Sequence, residues 1–426
     1  MATSHLIAAA PAWSALRRGI LPAPAIAGTI SFVLYYDFGI AVELLGFDYE
    51  VPYFRSILDA PRETQWFVIS MLSVAPWILL AGTKLAGPAK STRFSDALER
   101  PWLEARRRLS FYVLACITTA MPAWYGLTYL IDGGEIWLMR SQVGANLGPL
   151  VVLLSLPMYI LAFYAATEDA RTPKGRMFTL YLAFAAICAS IICSQRTLIL
   201  FPTILAALSF FRRISIWKAV ALATGCIVFA AVILPIFRGS YAGQTLRNDN
   251  LLVEIIHNDF SRAGVIATVS EVSPPVGTDV LPRTLSGYLY STLYFVPRQL
   301  APFKGRSTAM YFTGFIVNES PEWLNWGFGV GMLEELILNI GTRYCLLGVF
   351  VYGLVIGWLS RTEVTHPTVS MPLRIGPVFL CAYHLPSLLL NFGLMWLVCI
   401  YFSWLFIEAP NESTDTVITH PDTCFA

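Results

Sequence analysis

The sequence predicts an all-α polytopic membrane protein with about ten transmembrane helices and a large extracytoplasmic loop containing short interfacial or re-entrant helices. Three observations carry this. Of the 426 residues, 56% are hydrophobic and only 13% are charged, against about 25% charged in a soluble domain. The apolar residues fall in long runs, and about 20 such residues cross a bilayer core. The lysines and arginines between the runs alternate in density, as the positive-inside rule requires. A formal net charge of +2 offers no basic face for nucleic acid.

Ten spans follow in order, at 22–45, 65–85, 109–131, 147–167, 177–194, 197–211, 217–237, 343–360, 373–389 and 391–408. The first follows Arg17-Arg18 and is too long for a signal peptide, so it reads as a retained anchor. Spans five and six, split by Ser194-Gln195-Arg196, form a tight hairpin, as do spans nine and ten. Basic residues crowd loops 86–108 (Arg93, Arg100, Arg106, Arg107, Arg108), 168–176 (Arg171, Lys174, Arg176), 212–218 and 361–374. The intervening short loops hold few, which puts both termini and the richer loops in the cytoplasm. The chain divides into a bundle at 1–237, an extracytoplasmic loop at 238–342, three C-terminal spans at 343–410 and a cytoplasmic tail at 411–426. Within the loop, Ser286–Val296 is apolar but too short to cross, and Met332–Ile340 reads as a short helix broken at Gly341.

The eight cysteines include no C-x-x-C pair and none in the large loop, so neither a disulfide framework nor a thiolate metal site is expected. The five histidines are too scattered for a metal motif. No cofactor is expected.

The outer side is rich in cations, which is unusual. Arg196 interrupts about 30 apolar residues at an outer hairpin. It is either a turn residue snorkelling to headgroups or an anion clamp, since guanidinium binds phosphate through paired hydrogen bonds. Pro297-Arg298 with Pro302, Lys304 and Arg306 makes a preset basic turn, suited to lipid headgroups or to the pyrophosphate of a lipid-linked substrate. Arg238 and Arg262 are further external cations.

Gly327-Phe328-Gly329-Val330-Gly331 leads into Glu334-Glu335. The glycines allow close backbone approach or positive φ. Consecutive glutamates on a helix point to different faces, so one pairs with an arginine or one serves as a buried base. His257 lies in a short amphipathic stretch, Glu254 to Arg262, and is a surface polar residue or a general base. Trp323 and Trp326 read as interfacial anchors or a sugar platform. Asp37 and Glu43 are the acids of the first apolar stretch, and most spans hold no ionisable group. That favours chemistry at the outer surface over translocation through the bundle.

Several of these segments resemble the bacterial oligosaccharide repeat-unit polymerases, the Wzy-type O-antigen polymerases. They are Ser194-Gln195-Arg196-Thr197, Phe237-Arg238-Gly239, Gly287-Tyr288, Pro297-Arg298, Pro302-x-Lys304 and Glu335-x-x-x-Asn339-x-Gly341, with Gly348 and Gly353 beyond. The topology match covers most of the chain and the motifs cover about residues 190–360. One family pattern, an arginine followed ten residues later by a glycine in two external loops, is not reproduced within 238–342. The resemblance implies a metal-independent, membrane-embedded glycosyltransferase of the bacterial inner membrane. Its donor and acceptor are undecaprenyl-pyrophosphate-linked oligosaccharides, with membrane lipids and a chain-length regulator as further candidate partners. It implies that Arg196, Arg298 and Lys304, with Arg306, hold the donor pyrophosphate, that Arg238 or Arg262 holds the acceptor's, and that His257 or Glu335 takes the acceptor proton. An O-antigen ligase would share the loop and its arginines. A transporter or flippase would show pseudo-symmetric halves, which the single long loop argues against.

Overall fold

The computed structural model describes residues 1–17, 23–44, 56–86, 105–132, 155–192, 201–203, 205, 262–273, 279–293, 296, 299–324, 329–362 and 367–407. Regular structure among them is entirely helical. Three helical runs are long and apolar enough to cross a membrane: Pro24–Ala41, Arg62–Ala86 and Leu385–Phe406. Three shorter apolar helices are Ala263–Val272, Thr308–Val317 and Cys345–Leu359.

The N-terminal residues form a helix that the sequence reading did not anticipate, α1 (Ala2–Arg17), with Ala8 and Ala12 buried. The first expected span is α2 (Pro24–Phe32), a π-helical turn at Val33–Asp37 and α3 (Phe38–Leu44). Pro24 sits in the first turn, where its missing N–H costs nothing. The second is α4 (Arg62–Ala86), and α5 (Ala105–Asp132) covers the third. Within the fourth lies α6 (Leu156–Tyr164), and α7 (Pro173–Ile192) covers most of the fifth. Of the sixth only 201–203 and 205 are described, and the seventh, 217–237, lies outside the described residues.

Segments of the expected extracytoplasmic loop form α8 (Ala263–Val272), α9 (Ser286–Thr292), α10 (Thr308–Val317) and α11 (Met332–Ile340). The short helix expected at 332–340 is therefore present, and it ends at Gly341 with φ of 84°. The apolar α8 was not anticipated. Its Ala263, Ile266, Ala267 and Val269 are fully buried in one core with Phe32, Tyr36, Met71, Leu72, Leu333 and Ile337. The loop segments thus share the hydrophobic core of the first two spans. The eighth expected span is α12 (Cys345–Leu359). Its Gly353 meets Leu79 and Gly82 of α4 backbone to backbone, a contact any side chain would block, and Thr83 Oγ1 donates to the Gly353 carbonyl at 3.0 Å.

One boundary differs from expectation. The sequence places a hairpin at 389–391, between spans nine and ten. In the structure that position lies inside one 22-residue helical run, Leu385–Phe406, made of α14 (Leu385–Leu388), a π-turn at Leu389–Gly393 and α15 (Leu394–Phe406). The chain instead breaks at Leu380–His384, after α13 (Ser370–Ile375) and a 3₁₀ turn at Gly376–Phe379. The cause is proline: Pro386 stands in the first turn of the new helix with His384 as its N-cap residue, and Pro377 stands in the first turn of the 3₁₀ segment. A second core, rich in aromatic rings, joins α5, α6, α7 and α15 through Phe111, Phe163, Tyr164, Leu182, Phe402 and Phe406.

Candidate functional site

The break at Leu380–His384 exposes backbone groups that a helix would have satisfied, and three distant segments satisfy them. Met332 N–H donates to the Leu380 carbonyl at 2.9 Å, and Cys381 N–H donates to Ser31 Oγ at 2.9 Å. Arg262 Nη2 donates to the Ala382 carbonyl at 3.1 Å, while its Nη1 donates to the Gly329 carbonyl. Arg262 N–H also donates at 3.0 Å to the Tyr35 carbonyl, within the π-turn of the first span. Arg262 is 8% exposed and ties the first span, the Gly329–Gly331 strip and the helix break together.

Gly329 and Gly331 fulfil the close-approach reading of the glycine run. A methyl group on Gly329 would lie 2.6 Å from Arg262 Nη2, and one on Gly331 would strike the Cys381 carbonyl. Neither has a positive φ. They let α11 start against the break, which turns both of its glutamates inward.

Glu334 and Glu335 are each 0% exposed. They point to different faces as expected, but both faces are buried. Glu335 Oε2 accepts from Leu385 N–H at 2.7 Å, so this carboxyl sits at the N-terminal end of the long final helix, where the dipole favours negative charge. Thr308 Oγ1 approaches its Oε1 at 3.4 Å. Burial nevertheless dominates, pushing Glu335 up to about 8 against those two hydrogen bonds, with the neighbouring Glu334 adding to the rise. Burial pushes Glu334 up to about 7, restrained chiefly by the positive field of Arg262. No direct ion pair joins Arg262 to Glu334 among the described residues. Tyr36 Oη donates to Glu334 Oε2 at 3.4 Å, and the backbone N–H groups of Glu334 and Gly331 add to the restraint.

Glu335 continues into a second layer. Asn339 Nδ2 donates to the Glu335 carbonyl at 2.8 Å and to Thr308 Oγ1 at 3.3 Å, and Asn339 Oδ1 accepts from Gly287 N–H at 3.0 Å. A side chain on Gly287 would collide with Thr308 and Asn339, so glycine is required there. The buried hydroxyls of Tyr288 and Tyr352 adjoin each other and Glu335.

The remaining candidates divide. Lys304 is 7% exposed and donates to the carbonyls of Leu293 (3.3 Å) and Val296 (2.6 Å), with its ammonium 5.6 Å from the Tyr290 ring centroid. It closes the C-terminal end of α9, where a cation suits the dipole. Arg306 pairs with Glu322 at 3.0 Å on the surface. The structure therefore brings Arg262 and Glu335 to one site and places Lys304 and Arg306 beside it in other contacts. Arg196, Arg238, His257 and Arg298 lie outside the described residues. Among the described residues no group of three or more His, Cys, Asp or Glu side chains is placed to hold a metal ion.

Sequence reasoning missed Tyr36, Thr308 and the pairing of His5 with Asp37. His5 is 0% exposed and bridges Asp37 Oδ1 (2.9 Å) and the Leu72 carbonyl (2.7 Å). No local pattern announces partners 32 and 67 residues apart. Chemically, the site offers a carboxyl that titrates near neutrality, surrounded by hydroxyls and an anchored guanidinium, which is the equipment of a general base acting on an alcohol. No family model, curated protein or solved structure matches the chain.

Proposed function

We propose that this chain is a membrane-embedded glycosyltransferase that joins undecaprenyl-pyrophosphate-linked oligosaccharide repeat units into a surface polysaccharide at the outer face of the bacterial inner membrane. It has ten spans with both termini cytoplasmic. One observation carries the reading: those segments behind the family resemblance that lie among the described residues meet one another. Gly287, Glu335 and Asn339 are joined through direct contacts and Thr308. Lys304 of the Pro302-x-Lys304 step closes the same α9 that begins with Ser286-Gly287. Gly348 gives way to Leu336 beside Glu335, since a side chain there would strike it.

In this reading Glu335 takes the proton of the acceptor sugar hydroxyl as that oxygen attacks the anomeric carbon of the donor. The donor carbon–oxygen bond to pyrophosphate breaks, and the departing charge is held by Arg196 and Arg298, with Arg238 on the acceptor lipid. Arg262 is a positioning residue, because its terminal nitrogens hold the Gly329 and Ala382 carbonyls. Both carboxyls are closed off, so the acceptor enters by displacement of the α9 and α10 layer above α11. A transporter reading draws on the helix break at Leu380–His384 beside a buried acidic pair.

Deleting the gene in its host and separating the surface polysaccharide by gel tests these readings. Complementation with wild type should restore long chains, while Glu335→Gln, Arg196→Ala and Arg298→Ala, each reaching the membrane, should leave single repeat units. Full-length polymer accumulating on its lipid carrier would instead identify a ligase. Unaffected polysaccharide would reject both transferase readings in favour of a transporter.

A further inference from the structure

Helices α5 and α7 both begin with cations. Arg106, Arg107 and Arg108 occupy the first turn of α5, Lys174 and Arg176 that of α7, and neither first turn holds an acid. This opposes the helix dipole, which favours anions at N-termini, so helix stability does not explain the pattern. Arg107 has a separate task, donating to the Leu405 carbonyl at 2.9 Å near the end of α15.

Between the two starts lies a cavity of about 580 Å³ lined by Arg108, Tyr112, Thr172, Pro173, Lys174 and Phe178, among others. Two of the lining residues share a buried acid behind the cavity. Asp169, 4% exposed, takes Arg108 Nη2 at 2.5 Å and Tyr112 Oη at 3.1 Å. That single acid is matched by Arg108, whose side chain is still 45% exposed. Lys174 is exposed and forms no ion pair among the described residues. Its positive charge therefore stands unmatched beside an apolar wall, where Tyr112 and Phe178 meet edge to face at 4.8 Å.

We propose that this cavity binds the phosphate headgroup of an anionic phospholipid. Lys174 and the exposed part of Arg108 contact the phosphate, and Tyr112, Pro173 and Phe178 carry the first carbons of the chains. The loop positions suit this, because 86–108 and 168–176 are the cation-rich loops assigned to the cytoplasmic face, whose leaflet is anionic. A soluble phosphate would use the cations and leave the aromatic wall unused. The site is independent of the Glu335 chemistry.

Native mass spectrometry of the full chain in neutral detergent tests the assignment, with phosphatidylglycerol, phosphatidylcholine or inorganic phosphate added. Phosphatidylglycerol should be retained in preference to phosphatidylcholine, and Lys174→Gln should weaken that retention about fivefold, the loss expected for one cation near an anionic headgroup. Arg106→Gln, which removes a neighbouring cation that does not line the cavity, should weaken it less. Equal retention of the two lipids, or equal losses in the two variants, would reduce the cavity to a generally basic surface and overturn the proposal. Occupancy by inorganic phosphate that displaces the lipid would overturn the lipid assignment.

Discussion

The two cores of this protein bury polar groups in opposite ways. Around α5, α6 and α7 a buried carboxylate and several hydroxyls close on one another: Arg108 and Tyr112 on Asp169, Tyr112 on Tyr164 at 3.0 Å, and Thr119 on Tyr181 at 2.7 Å. Around α11 the buried Glu334 Oε1, Arg262 Nε, Tyr288 Oη and Tyr352 Oη have no hydrogen-bond partner of good geometry. A buried polar group left unmade costs about 1–3 kcal/mol. A closed network repays its burial in stability. An open one is retained at a cost to the fold, and such costs gather where a chain binds or reacts. On the proposed function, the first core is scaffold and the second is site.

The largest expected effect tests whether the open core is chemical. Glu335→Gln keeps the oxygen that accepts from Leu385 N–H, so the fold should hold, while loss of a general base should lower transfer by about 10²–10⁴-fold. Turnover of lipid-linked repeat units by purified protein is the measurement. Transfer by the wild type should rise with pH through about 8, as Glu335 ionises. Stability should move the other way. Because the folded carboxyl titrates above its ordinary value of 4.5, its contribution is complete below about pH 4.5 and is lost as pH rises through about 8. Glu335→Gln should flatten that slope. Retained transfer with the wild-type pH profile would remove Glu335 from the chemistry.

Next comes the anchor of the open core. Arg262→Met frees the Gly329 and Ala382 carbonyls and strips Glu334 of the field that restrains it. Removing one partner of a buried charge interaction costs about 3–5 kcal/mol. Thermal unfolding in detergent should show this as a large drop. Adding Glu334→Gln should recover part of it, since the stranded acid is then gone. An Arg262→Met protein as stable as wild type would mean that the helix break is held without it, and would return Arg262 to the phosphate-binding role read from the sequence.

How much of this contrast was readable beforehand depends on the distance over which each feature is encoded. Apolar runs are local, so the helical segments at 24–44, 62–86 and 345–359 coincide with the expected spans to within a few residues. The α11 helix and its stop at Gly341 were legible for the same reason. So was the opposition of Glu334 and Glu335, which follows from helical periodicity alone. The break at Leu380–His384 was missed although Pro377 and Pro386 signalled it, because hydropathy was allowed to outweigh proline. Helix α8 was missed because apolar residues within an expected loop were not weighed as core. The partners of Arg262 could not be read at all: Ala382 lies 120 residues away and Gly329 67. Arginine chemistry points equally to a phosphate and to a pair of carbonyls, and packing decides between them.

A smaller pair of substitutions sets one carboxyl from each core against the other. Asp169→Asn removes the charge that Arg108 and Tyr112 share and should cost about 1–3 kcal/mol. Glu334→Gln removes a charge that burial already disfavours, so it should be neutral or stabilising. The gain should be absent below about pH 4.5 and grow as pH rises through about 7, because the unfolded carboxyl ionises over that interval while burial keeps the folded one protonated. Equal losses in both variants would erase the distinction between scaffold and site.

The mildest test uses a single oxygen atom. Tyr112→Phe deletes a hydroxyl that lies 3.0 Å from Tyr164 Oη and 3.1 Å from Asp169 Oδ2. It should cost about 1 kcal/mol in thermal unfolding, the usual net worth of a neutral hydrogen bond. Tyr288→Phe deletes a buried hydroxyl without such a partner, and should leave stability unchanged or raise it by a few tenths of a kcal/mol. The decisive quantity is the activity of the same two proteins. If the Tyr288 hydroxyl lies idle because substrate completes it, Tyr288→Phe should be fully folded yet impaired in transfer, with KM raised more than kcat is lowered. Tyr112→Phe, corrected for its folded fraction, should turn over like wild type. A Tyr288→Phe protein that is both stable and fully active would show that open hydrogen bonds in this core are a packing residue of the fold, and the site would contract to Glu335 and its immediate partners.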